Sequence, residues 1–298
     1  MNTKVTIGLC VKNGAKVVKT AFDSISIQDY PHKLMKLVIV DDGSSDNTYS
    51  LAKEFAQKID VPTFVTSSKG KGLAATRQIV VDNAEGDYIV WEDDDLVLSK
   101  DFIRNHVEFM EKNSKVGAAR CVNIIFGLQD KIFNVANYGS LIFPELHNLN
   151  FIGTGGSIFR LKALKDVGGF DIRIKGAGED IDISWRIRAA GWTLKVDKSA
   201  RIYQKDTPTT LKGIWKKNFW YGYGNHFLFH KNKDQELLMG YFPPLILWFG
   251  LKFSYLIYRA TKMKKVFVFA IFHSFAMIAN YIGFIRAHLD GYGHVKDI

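Results

Sequence analysis

The chain has 298 residues, of which 47% are hydrophobic and 23% are charged, a composition typical of a folded protein and not of a disordered one. That length accommodates one large domain, or one domain with an appendage. The net charge of +10 is unevenly spread, because residues 201–298 carry 14 Lys and Arg against 5 Asp and Glu. This asymmetry indicates an anionic partner for the last third of the chain, either a membrane surface or a nucleic acid.

The two cysteines, Cys10 and Cys121, lie far apart and without the spacing of a metal site. Neither a disulfide framework nor a structural zinc site is therefore expected, and a reducing compartment is indicated. The chain enters a strand-like run within its first residues and shows no apolar core followed by a cleavage site, so we expect no signal peptide.

Strand-like and helix-like segments alternate through the first half of the chain. Strands are predicted at Val5–Val11, Leu37–Val40, Thr63–Thr66, Tyr88–Trp91 and Val116–Ile125, and helices at Ala15–Ile27, Asn47–Lys58, Leu73–Asn83 and Asp101–Lys112. Most of these strands are continuous apolar runs, as in a parallel sheet covered by helices on both faces. The pattern predicts an open, doubly wound, mostly parallel α/β sheet, and such sheets bind ligands beyond the carboxyl ends of their strands.

Two acidic clusters follow predicted strands at such ends. Asp41–Asp46 follows the second strand, and its Asp, Gly and Ser residues suit a turn and helix N-cap as well as a ligand site. Glu92–Asp95 follows the fourth strand. Because four adjacent carboxylates repel one another and a solvated turn does not need them, this cluster predicts a metal or phosphate site.

Two further motifs lie beyond residue 150. Gly153–Gly156, with the sequence Gly-Thr-Gly-Gly, is either a loop or a place where a ligand approaches the backbone closely. Gly178–Asp182 holds three carboxylates and opens a predicted helix that continues through Arg188. Carboxylates in the first turn of a helix also complement its dipole, so this group has a structural explanation beside a functional one.

The C-terminal third changes character. Leu211–Phe229 combines Lys with Trp and Tyr, which suits a membrane interface or the stacking of nucleic-acid bases. Two apolar segments follow, Phe242–Tyr258 and Val266–Ile285, and as helices each would be about 25–30 Å long, close to a bilayer core. Their length and apolar composition favour helices embedded in a membrane. The alternative is a helical hairpin buried in a soluble protein. His226 and His230 lie in the aromatic run, where histidine is more often a packing residue than a ligand.

The linker between the apolar segments, Arg259–Lys265, carries four positive charges. If both helices span the membrane and the preceding domain is cytoplasmic, that linker lies outside, against the positive-inside tendency. A re-entrant or in-plane pair would keep it on the cytoplasmic side. We expect a cytoplasmic catalytic domain and spanning helices, because both segments are apolar almost all round.

Four motifs occur together in chain order, at Val40–Asp46, Gly86–Asp95, Gly168–Asp171 and Gly178–Asp182. As a set they resemble the family 2 glycosyltransferases, inverting enzymes of the GT-A fold that use sugar nucleotides, and the resemblance covers residues 3–224. It implies a GT-A catalytic domain at 1–205, a basic-aromatic interfacial segment at 206–235, and two hydrophobic membrane-associated helices at 236–298. The hydrophobic pair resembles family members that glycosylate lipid-linked acceptors.

The resemblance implies a role for each candidate site residue. Asp180 would be the general base, with Glu179 beside it, and Asp95 with Asp93 would bind Mn²⁺ or Mg²⁺. The nucleotide-sugar site would comprise Val11, Asn13, Asp41, Asp42, Lys71, Arg77, Asp93, Asp94, Gly155 and Gly156. The acceptor side would include Lys205, Trp215 and Trp220.

The implied reaction explains these residue types. Hard divalent cations prefer oxygen ligands and stabilise a departing nucleoside diphosphate. A positioned carboxylate that takes the proton of an acceptor hydroxyl contributes about 10²–10⁴ in rate. Because a polyprenyl phosphate is already ionised, the Glu179–Asp180 pair favours a hydroxyl on a lipid-linked glycan or glycolipid. Transfer to polyprenyl (dolichyl) phosphate, or an inactive membrane-tethered nucleotide-sugar-binding protein, are the alternatives.

Two further features of the sequence narrow the predicted reaction. Processive relatives carry Gln-x-x-Arg-Trp after the base, whereas Lys216–Trp220 here keeps only the Trp, so addition of a single sugar is expected. A sugar-phosphate nucleotidyltransferase would show a Gly-rich basic loop near its start. Val11–Ala15 has only one Gly and one Lys, which argues against this class of enzyme. The expected partners are a nucleotide-sugar donor, a lipid-linked or glycolipid acceptor and a membrane with anionic lipid, but no nucleic acid.

Overall fold

The computed structural model describes residues 3–125, 151–204, 210–232, 243–262 and 264–292. They form two compact units. Unit 1 contains the described residues up to 125 together with 151–175 and 179–204, and unit 2 contains 176–178 and the described residues from 210 onward.

Unit 1 is an α/β domain. Its strands are β1 Val5–Val11, β2 Met35–Asp41, β3 Thr63–Ser67, β4 Tyr88–Asp93, β5 Leu96–Leu98, β6 Val116–Ile125, β7 Ser157–Arg160 and β8 Thr193–Gln204. Its helices are α1 Val18–Ser26, α2 Thr48–Lys58, α3 Leu73–Asp82, α4 Phe102–Lys112, α5 Leu161–Asp166 and α6 Glu179–Ala189, with a short 3₁₀ turn at His32–Leu34.

The strands form one sheet in the order β3-β2-β1-β4-β7-β6-β8-β5. The first four in this order pair in parallel, as predicted from the apolar runs. β7 runs antiparallel to β4 and β6, β6 pairs in parallel with β8, and β5 runs antiparallel to β8. The predicted parallel sheet is therefore confirmed in its first half, and the second half is mixed.

The sheet buries apolar side chains on both of its faces. Because successive side chains of a strand point to opposite faces, β2 places Leu37 and Ile39 in one buried cluster and Val38 and Val40 in the other. Each such residue stabilises the fold by about 1.5–3 kcal/mol relative to an exposed position. A strand with two buried faces is what a continuous apolar run predicts, and it gives the loops at the strand ends a rigid base.

Both cysteines are free thiols in the structure. Burial raises the pKa of Cys10 and of Cys121 to about 12, so both stay protonated at neutral pH and are poor nucleophiles. The expectation that they form no disulfide is confirmed.

Unit 2 is helical in its described residues. It contains α7 Leu211–Asn232, α8 Pro243–Thr261 and α9 Val268–Leu289, with a 3₁₀ turn at Lys264–Phe267, and α9 packs against both α7 and α8. Glycines allow α7 and α9 to approach closely. A side chain at Gly222 would overlap the Asn280 carbonyl, and one at Gly283 would overlap the Phe219 carbonyl.

One described helical segment, Ala270–Leu289, is long and apolar enough to cross a membrane, with a mean hydropathy of 1.2. Its apolar side chains include exposed residues such as Ile271 and Ile278. α8 contains a shorter apolar stretch, Leu245–Leu256. The composition of α9 favours membrane association. Two spanning helices were predicted, and among the described residues only α9 contains a segment that is long and apolar enough to span.

Candidate active site

The carboxyl ends of β1, β2 and β4 open on the same edge of the sheet. In the parallel register Val11 lies opposite Asp41, and Cys10 lies opposite Asp93. The first two acidic clusters therefore begin on the two strands that flank β1, at the same edge of the sheet, as the alternating sequence pattern predicted.

Asp42 lies at the centre of a hydrogen-bond network at this edge. Its Oδ2 accepts a hydrogen bond from Lys12 Nζ at 2.9 Å, and its Oδ1 accepts from Ser68 Oγ at 2.5 Å and from the Gly72 backbone N–H at 2.9 Å. Burial opposes ionisation of Asp42, but these donors outweigh burial and lower its pKa. Asp42 is therefore a fixed carboxylate that joins the loops after β1, β2 and β3.

Asp41 closes the turn that follows β2. Its Oδ2 accepts the backbone N–H groups of Gly43 at 2.9 Å and Ser44 at 3.0 Å, so the turn explanation of this cluster holds for Asp41. Asn13 ties the β1 loop to the same turn, because its N–H donates to Ser44 Oγ at 2.9 Å and its Oδ1 accepts from the Ser45 N–H at 2.8 Å. The Oδ1 of Asp41 is buried and accepts no hydrogen bond from the described residues, which leaves it available to a ligand.

Three carboxylates follow one another at the end of β4. Asp93 is partly exposed, with 41% of its side chain accessible, Asp94 is half-buried and Asp95 is exposed. Burial, together with the charges of Asp95 and Asp93, raises the pKa of Asp94 to about 6. Burial also raises the pKa of Asp93, with Asp95 adding to the effect and Arg77 opposing it. A bound cation would relieve this repulsion.

Arg77, on α3, is a buried cation that joins two acidic groups. Its Nη1 donates to Glu179 Oε1, and its Nη2 lies 3.9 Å from Asp93 Oδ1. Burial alone would lower the pKa of Arg77, but the charges of Glu179 and Asp93 outweigh burial and raise it. The guanidinium therefore connects the end of β4 with the start of α6.

Glu179 and Asp180 form the first turn of α6. Burial raises the pKa of both carboxyls, and the Arg77 charge opposes the rise. Glu179 is almost fully buried and directs one oxygen to Arg77. Asp180 is half-buried, and its Oδ1 accepts the Ile181 N–H at 2.8 Å. Glu179 is thus held by Arg77, whereas Asp180 keeps its second oxygen for other contacts.

The glycine-rich loop Gly153–Gly156 lies against these carboxylates. A Cβ added to Gly155 would overlap Asp93 Oδ2, while one added to Gly153 would lie 3.7 Å from Asp180 Oδ2, an ordinary contact. The loop therefore places its backbone next to the carboxylates of both Asp93 and Asp180. The absence of a side chain at Gly155 is needed for Asp93 to keep its position.

Glu92 is set apart from the other three carboxylates of its cluster. It is 1% exposed, and its oxygens make no hydrogen bond of normal geometry among the described residues. Burial raises its pKa well above the ordinary value, with Asp93 and Asp95 adding to the rise and Ser24 opposing it, so burial favours the protonated form of Glu92. The run Glu92–Asp95 was predicted as a whole to form a metal or phosphate site, and Glu92 is the residue of this run that is buried in the fold.

Val11, Gly156 and Lys71 were also predicted to line the donor site, and each has a different environment in the structure. The Val11 carbonyl accepts the Asp42 N–H at 2.8 Å, so its backbone oxygen is engaged within the fold. Gly156 has a φ of 67°, and a Cβ there would lie 2.9 Å from Cys121 Sγ, so sheet packing requires this glycine. Lys71 is exposed on the loop that precedes α3.

Two of the three predicted acceptor-side residues lie in unit 2. Trp215 and Trp220 are on α7 in unit 2, where the Trp215 ring lies 5.3 Å from the Phe275 ring and Trp220 is 40% exposed. Lys205 falls outside the described residues.

Several site residues were missed by sequence reasoning. Lys12, Ser68 and Gly72 hold Asp42, and Gly14 leaves room for Asp94, whose Oδ2 a side chain there would overlap. The run Ser67–Gly72, which begins at the last residue of β3, is polar and rich in glycine. A run of this composition at the end of a strand predicts a ligand-binding loop at the same edge of the sheet.

The residues at the end of β4 fit a divalent cation. Asp93, Asp94 and Asp95 carry oxygen ligands, which Mg²⁺ and Mn²⁺ prefer, and burial together with the neighbouring carboxylates raises the pKa of Asp93 and Asp94. This is the donor set of a hard-metal site.

Comparisons with known proteins agree with this geometry. A sequence profile described as Glycosyl transferase family 2 matches residues 6–168, and one described as Glycosyl transferase family group 2 matches residues 88–285. A poly-beta-1,6-N-acetyl-D-glucosamine synthase of Staphylococcus epidermidis is 28% identical over 226 residues, which is 73% of this chain and 53% of that protein. The homologous synthase of Staphylococcus aureus strain COL is 26% identical over 257 residues, 82% of this chain and 60% of that protein. The chain spans about half the length of the curated relatives it matches.

Solved structures share the fold. The mannosyltransferase PcManGT from Pyrobaculum calidifontis, in complex with GDP-Man and Mn²⁺, superposes with a TM-score of 0.71 over 96% of this chain and 88% of that chain, at 16% identity. S. aureus TarS 1-349, in complex with UDP, superposes with a TM-score of 0.53 over 97% of this chain and 92% of that chain, at 17% identity. The predicted GT-A fold is confirmed.

Proposed function

The chain belongs to glycosyl transferase family 2, and from this premise we propose that it moves one sugar from a nucleotide-sugar donor to an acceptor hydroxyl at a membrane. The observation that carries the proposal is the meeting of Asp93 and the Glu179–Asp180 pair around Arg77. Such a cluster combines a metal-ligand set with a half-buried carboxylate, which are the two requirements of the reaction.

We assign donor binding to the loops at the strand edge. Asp41 Oδ1, which accepts no hydrogen bond from the residues that the structure describes, and the network around Asp42 offer acceptors for base or ribose hydroxyls. Asn13 fixes the loop after β1, and exposed Lys71 offers a cation for the diphosphate. Arg77 is already held by Glu179 and Asp93, so we assign it to positioning these carboxylates and not to the phosphates.

Asp180 is the proposed general base. Its carboxylate takes the proton of the acceptor hydroxyl as the acceptor oxygen bonds to the anomeric carbon and the bond to the diphosphate breaks. Burial raises its pKa, with the Arg77 charge opposing the rise, and the raised pKa makes it a stronger base than an exposed aspartate. Glu179 anchors Arg77, whose charge opposes the rise in the Asp180 pKa.

Asp95 and Asp93 are the proposed ligands of a divalent cation, Mn²⁺ or Mg²⁺, with Asp94 beside them. When bound, the cation neutralises charge on the departing nucleoside diphosphate. The protein contributes three carboxylates, and the backbone of the Gly153–Gly155 loop leaves room for the Asp93 side chain.

The proposed acceptor is a hydroxyl on a lipid-linked glycan or glycolipid. A half-buried base supports a hydroxyl, since polyprenyl phosphate needs no deprotonation. The stretch Lys216–Trp220 lacks the Gln-x-x-Arg-Trp pattern of processive enzymes, so we propose single-sugar addition even though the matched relatives are named as polysaccharide synthases. Trp215 and Trp220 remain proposed acceptor-side residues.

The proposed location is the membrane, with unit 1 in the cytoplasm. Support comes from the apolar segment Ala270–Leu289 and from α7, where Lys212, Lys216 and Lys217 are exposed near aromatic residues. Exposed lysines of this kind bind anionic lipid headgroups. We propose that α8 and α9 both enter the bilayer as a spanning pair, with the re-entrant arrangement as the alternative.

The test is a panel of sugar nucleotides offered to the detergent-purified protein with membrane lipids and Mn²⁺ or Mg²⁺. The measurement is release of nucleoside diphosphate together with sugar incorporated into lipid. Metal-dependent release from one donor, lost in Asp95→Asn and retained in the exposed control Asp23→Asn, is the expected result. Donor binding without release from any donor would favour a nucleotide-sugar-binding protein instead.

A further inference from the structure

Three histidines come together in unit 2, on two helices that pack against each other. His226 and His230 lie on α7 and His288 lies near the end of α9. The Nε2 atom of His226 is 3.2 Å from His288 Nδ1 and 3.1 Å from His230 Nε2, and one ring nitrogen from each of the three lies within 4.8 Å of the others.

Hydrogen bonding alone does not account for this arrangement. An imidazole nitrogen offers either one N–H or one lone pair in the plane of the ring, so His226 Nε2 makes at most one straight hydrogen bond. Here two ring nitrogens approach the same atom. A single cation resolves the conflict, because it needs only one lone pair from each neutral ring.

The distances match those between ligands of a small metal ion. Two nitrogens bound tetrahedrally to Zn²⁺ at about 2.0–2.1 Å are about 3.3 Å apart, close to both separations from His226. The spacing of His226 and His230, four residues apart, places both rings on one helical face, as in helical zinc motifs. The third ligand then comes from the neighbouring helix.

The scaffold around the three rings is rigid. His226 is fully buried and its ring packs edge to face against Phe284 with centroids 4.8 Å apart. Just beyond His288, the Tyr292 ring stacks on Tyr223 with centroids 4.9 Å apart. The close approach of α7 and α9 at their glycines fixes the helices, so the site is formed before an ion arrives.

We propose that His226, His230 and His288 bind one Zn²⁺ ion that cross-links α7 to α9, with water as the fourth ligand. Three imidazoles favour zinc and related transition ions over Mg²⁺ or Mn²⁺, which select oxygen ligands. The site is therefore chemically distinct from the carboxylates at the end of β4. The absence of a cysteine pattern had argued against structural zinc, but that argument does not apply to a site made of histidines.

The experiment uses the full chain in detergent with an affinity tag that contains no histidine. The protein is stripped with a chelator, held in excess Mg²⁺ to occupy oxygen sites, and titrated with Zn²⁺ while bound metal and the unfolding midpoint are measured. Co²⁺ substitution adds a visible spectrum that reports tetrahedral nitrogen coordination. We expect one equivalent of Zn²⁺ and a rise in the midpoint, because an ion that binds the folded state stabilises it.

The variants are His288→Gln, His230→Gln and the control His273→Gln, which removes a histidine of α9 that is not in the cluster. Each of the first two should weaken zinc binding at least about tenfold, the cost of losing even an outer-shell partner of a metal site. The control should bind zinc like the unaltered chain. Equal binding by His288→Gln and the control, or no zinc bound by the unaltered chain, would overturn the proposal.

Discussion

Among individual residues, Arg77 has the strongest electrostatic role. Its buried guanidinium lies against both Glu179 and Asp93. Arg77→Gln would leave the buried Glu179 carboxylate without its cation, and breaking a buried pair in this way costs about 3–5 kcal/mol. We expect the unfolding midpoint to fall by about 10 °C or more, measured by thermal denaturation.

The matched control for this variant is Arg104→Gln. Arg104 forms a partly exposed pair with Asp29, and solvent screens such a pair strongly. Its midpoint should stay close to that of the unaltered chain. Comparable losses in the two variants would contradict the assignment of Arg77 as a cation that holds the site together.

Gly155 and Gly153 provide a matched pair of variants that tests the contact between the glycine-rich loop and Asp93. Gly155→Ala pushes against the Asp93 carboxylate, while Gly153→Ala has room for its methyl group beside Asp180. We expect Gly155→Ala to lower kcat/KM for the donor by about tenfold or more, since small displacements of catalytic groups are costly. Gly153→Ala should stay within a few-fold of the unaltered enzyme in the same steady-state assay. If the two variants behave alike, the proposed contact with Asp93 does not matter for catalysis.

The candidate site was predictable in part from the sequence. Asp41, Asp42 and Asp93 were expected at one sheet edge because each follows an apolar strand, and the register confirms that placement. The contact between Arg77 and Glu179 was not predictable, because these residues are 102 positions apart and meet only through the packing of α3 and α6. Glu92 was grouped wrongly with its neighbours, since a run of acidic letters does not show which side chain is buried.

Among the elements, α4 and β8 are joined by a buried contact between a histidine and an aspartate. His106 Nδ1 lies 2.9 Å from Asp197 Oδ2, with both side chains almost inaccessible. Burial opposes ionisation of Asp197, but the His106 ring and Ser199 outweigh it and lower the Asp197 pKa. A lowered folded-state pKa contributes stability above the unfolded value of about 3.9, and that contribution is lost as pH falls through the folded value.

The prediction is that Asp197→Asn lowers the unfolding midpoint at pH 7 and that the difference from the unaltered chain shrinks below about pH 4. The exposed residue Asp23 supplies the control, because Asp23→Asn should show no such trend. Thermal unfolding measured between pH 3 and pH 7 gives both curves. A difference that stays constant down to pH 3 would show that the Asp197 charge is not what stabilises this contact.

The sequence predicted the elements whose pattern is local. The apolar runs of β1, β2 and β4 match the observed strands closely, and the helices α2, α3 and α4 begin and end within a residue of their predicted bounds. β8 was missed because Thr193–Gln204 alternates apolar residues with lysines and an aspartate, and it pairs with a distant strand. β5 and β7 have three and four residues, too few for a periodic signal.

For the whole molecule, the excess of positive charge in the last third of the chain predicts that this part binds anionic lipid. Lys216 and Lys217 are exposed on α7, and each lysine near an anionic surface contributes about 1 kcal/mol to binding. Removing both, as Lys216→Gln with Lys217→Gln, should weaken binding to anionic vesicles by about thirtyfold. Binding to neutral vesicles should not change, and co-sedimentation measures both.

The control for this prediction removes two exposed lysines from unit 1, Lys58 and Lys162, and so gives the same net charge. If the control weakens binding to anionic vesicles as much as the α7 variant, net charge and not the α7 surface attracts the lipid.

The central claim is that Asp180 takes a proton from an acceptor hydroxyl, and single-turnover sugar transfer by Asp180→Asn tests it most directly. The control is Asp182→Asn, which removes another carboxylate of α6, one that pairs with Arg186 at 2.7 Å. We predict that Asp180→Asn slows transfer by about 10²–10⁴ while donor binding persists, and that Asp182→Asn transfers sugar at a rate close to the unaltered enzyme. Transfer by Asp180→Asn at nearly the normal rate would contradict the account and would favour an acceptor that is already ionised, such as a lipid phosphate.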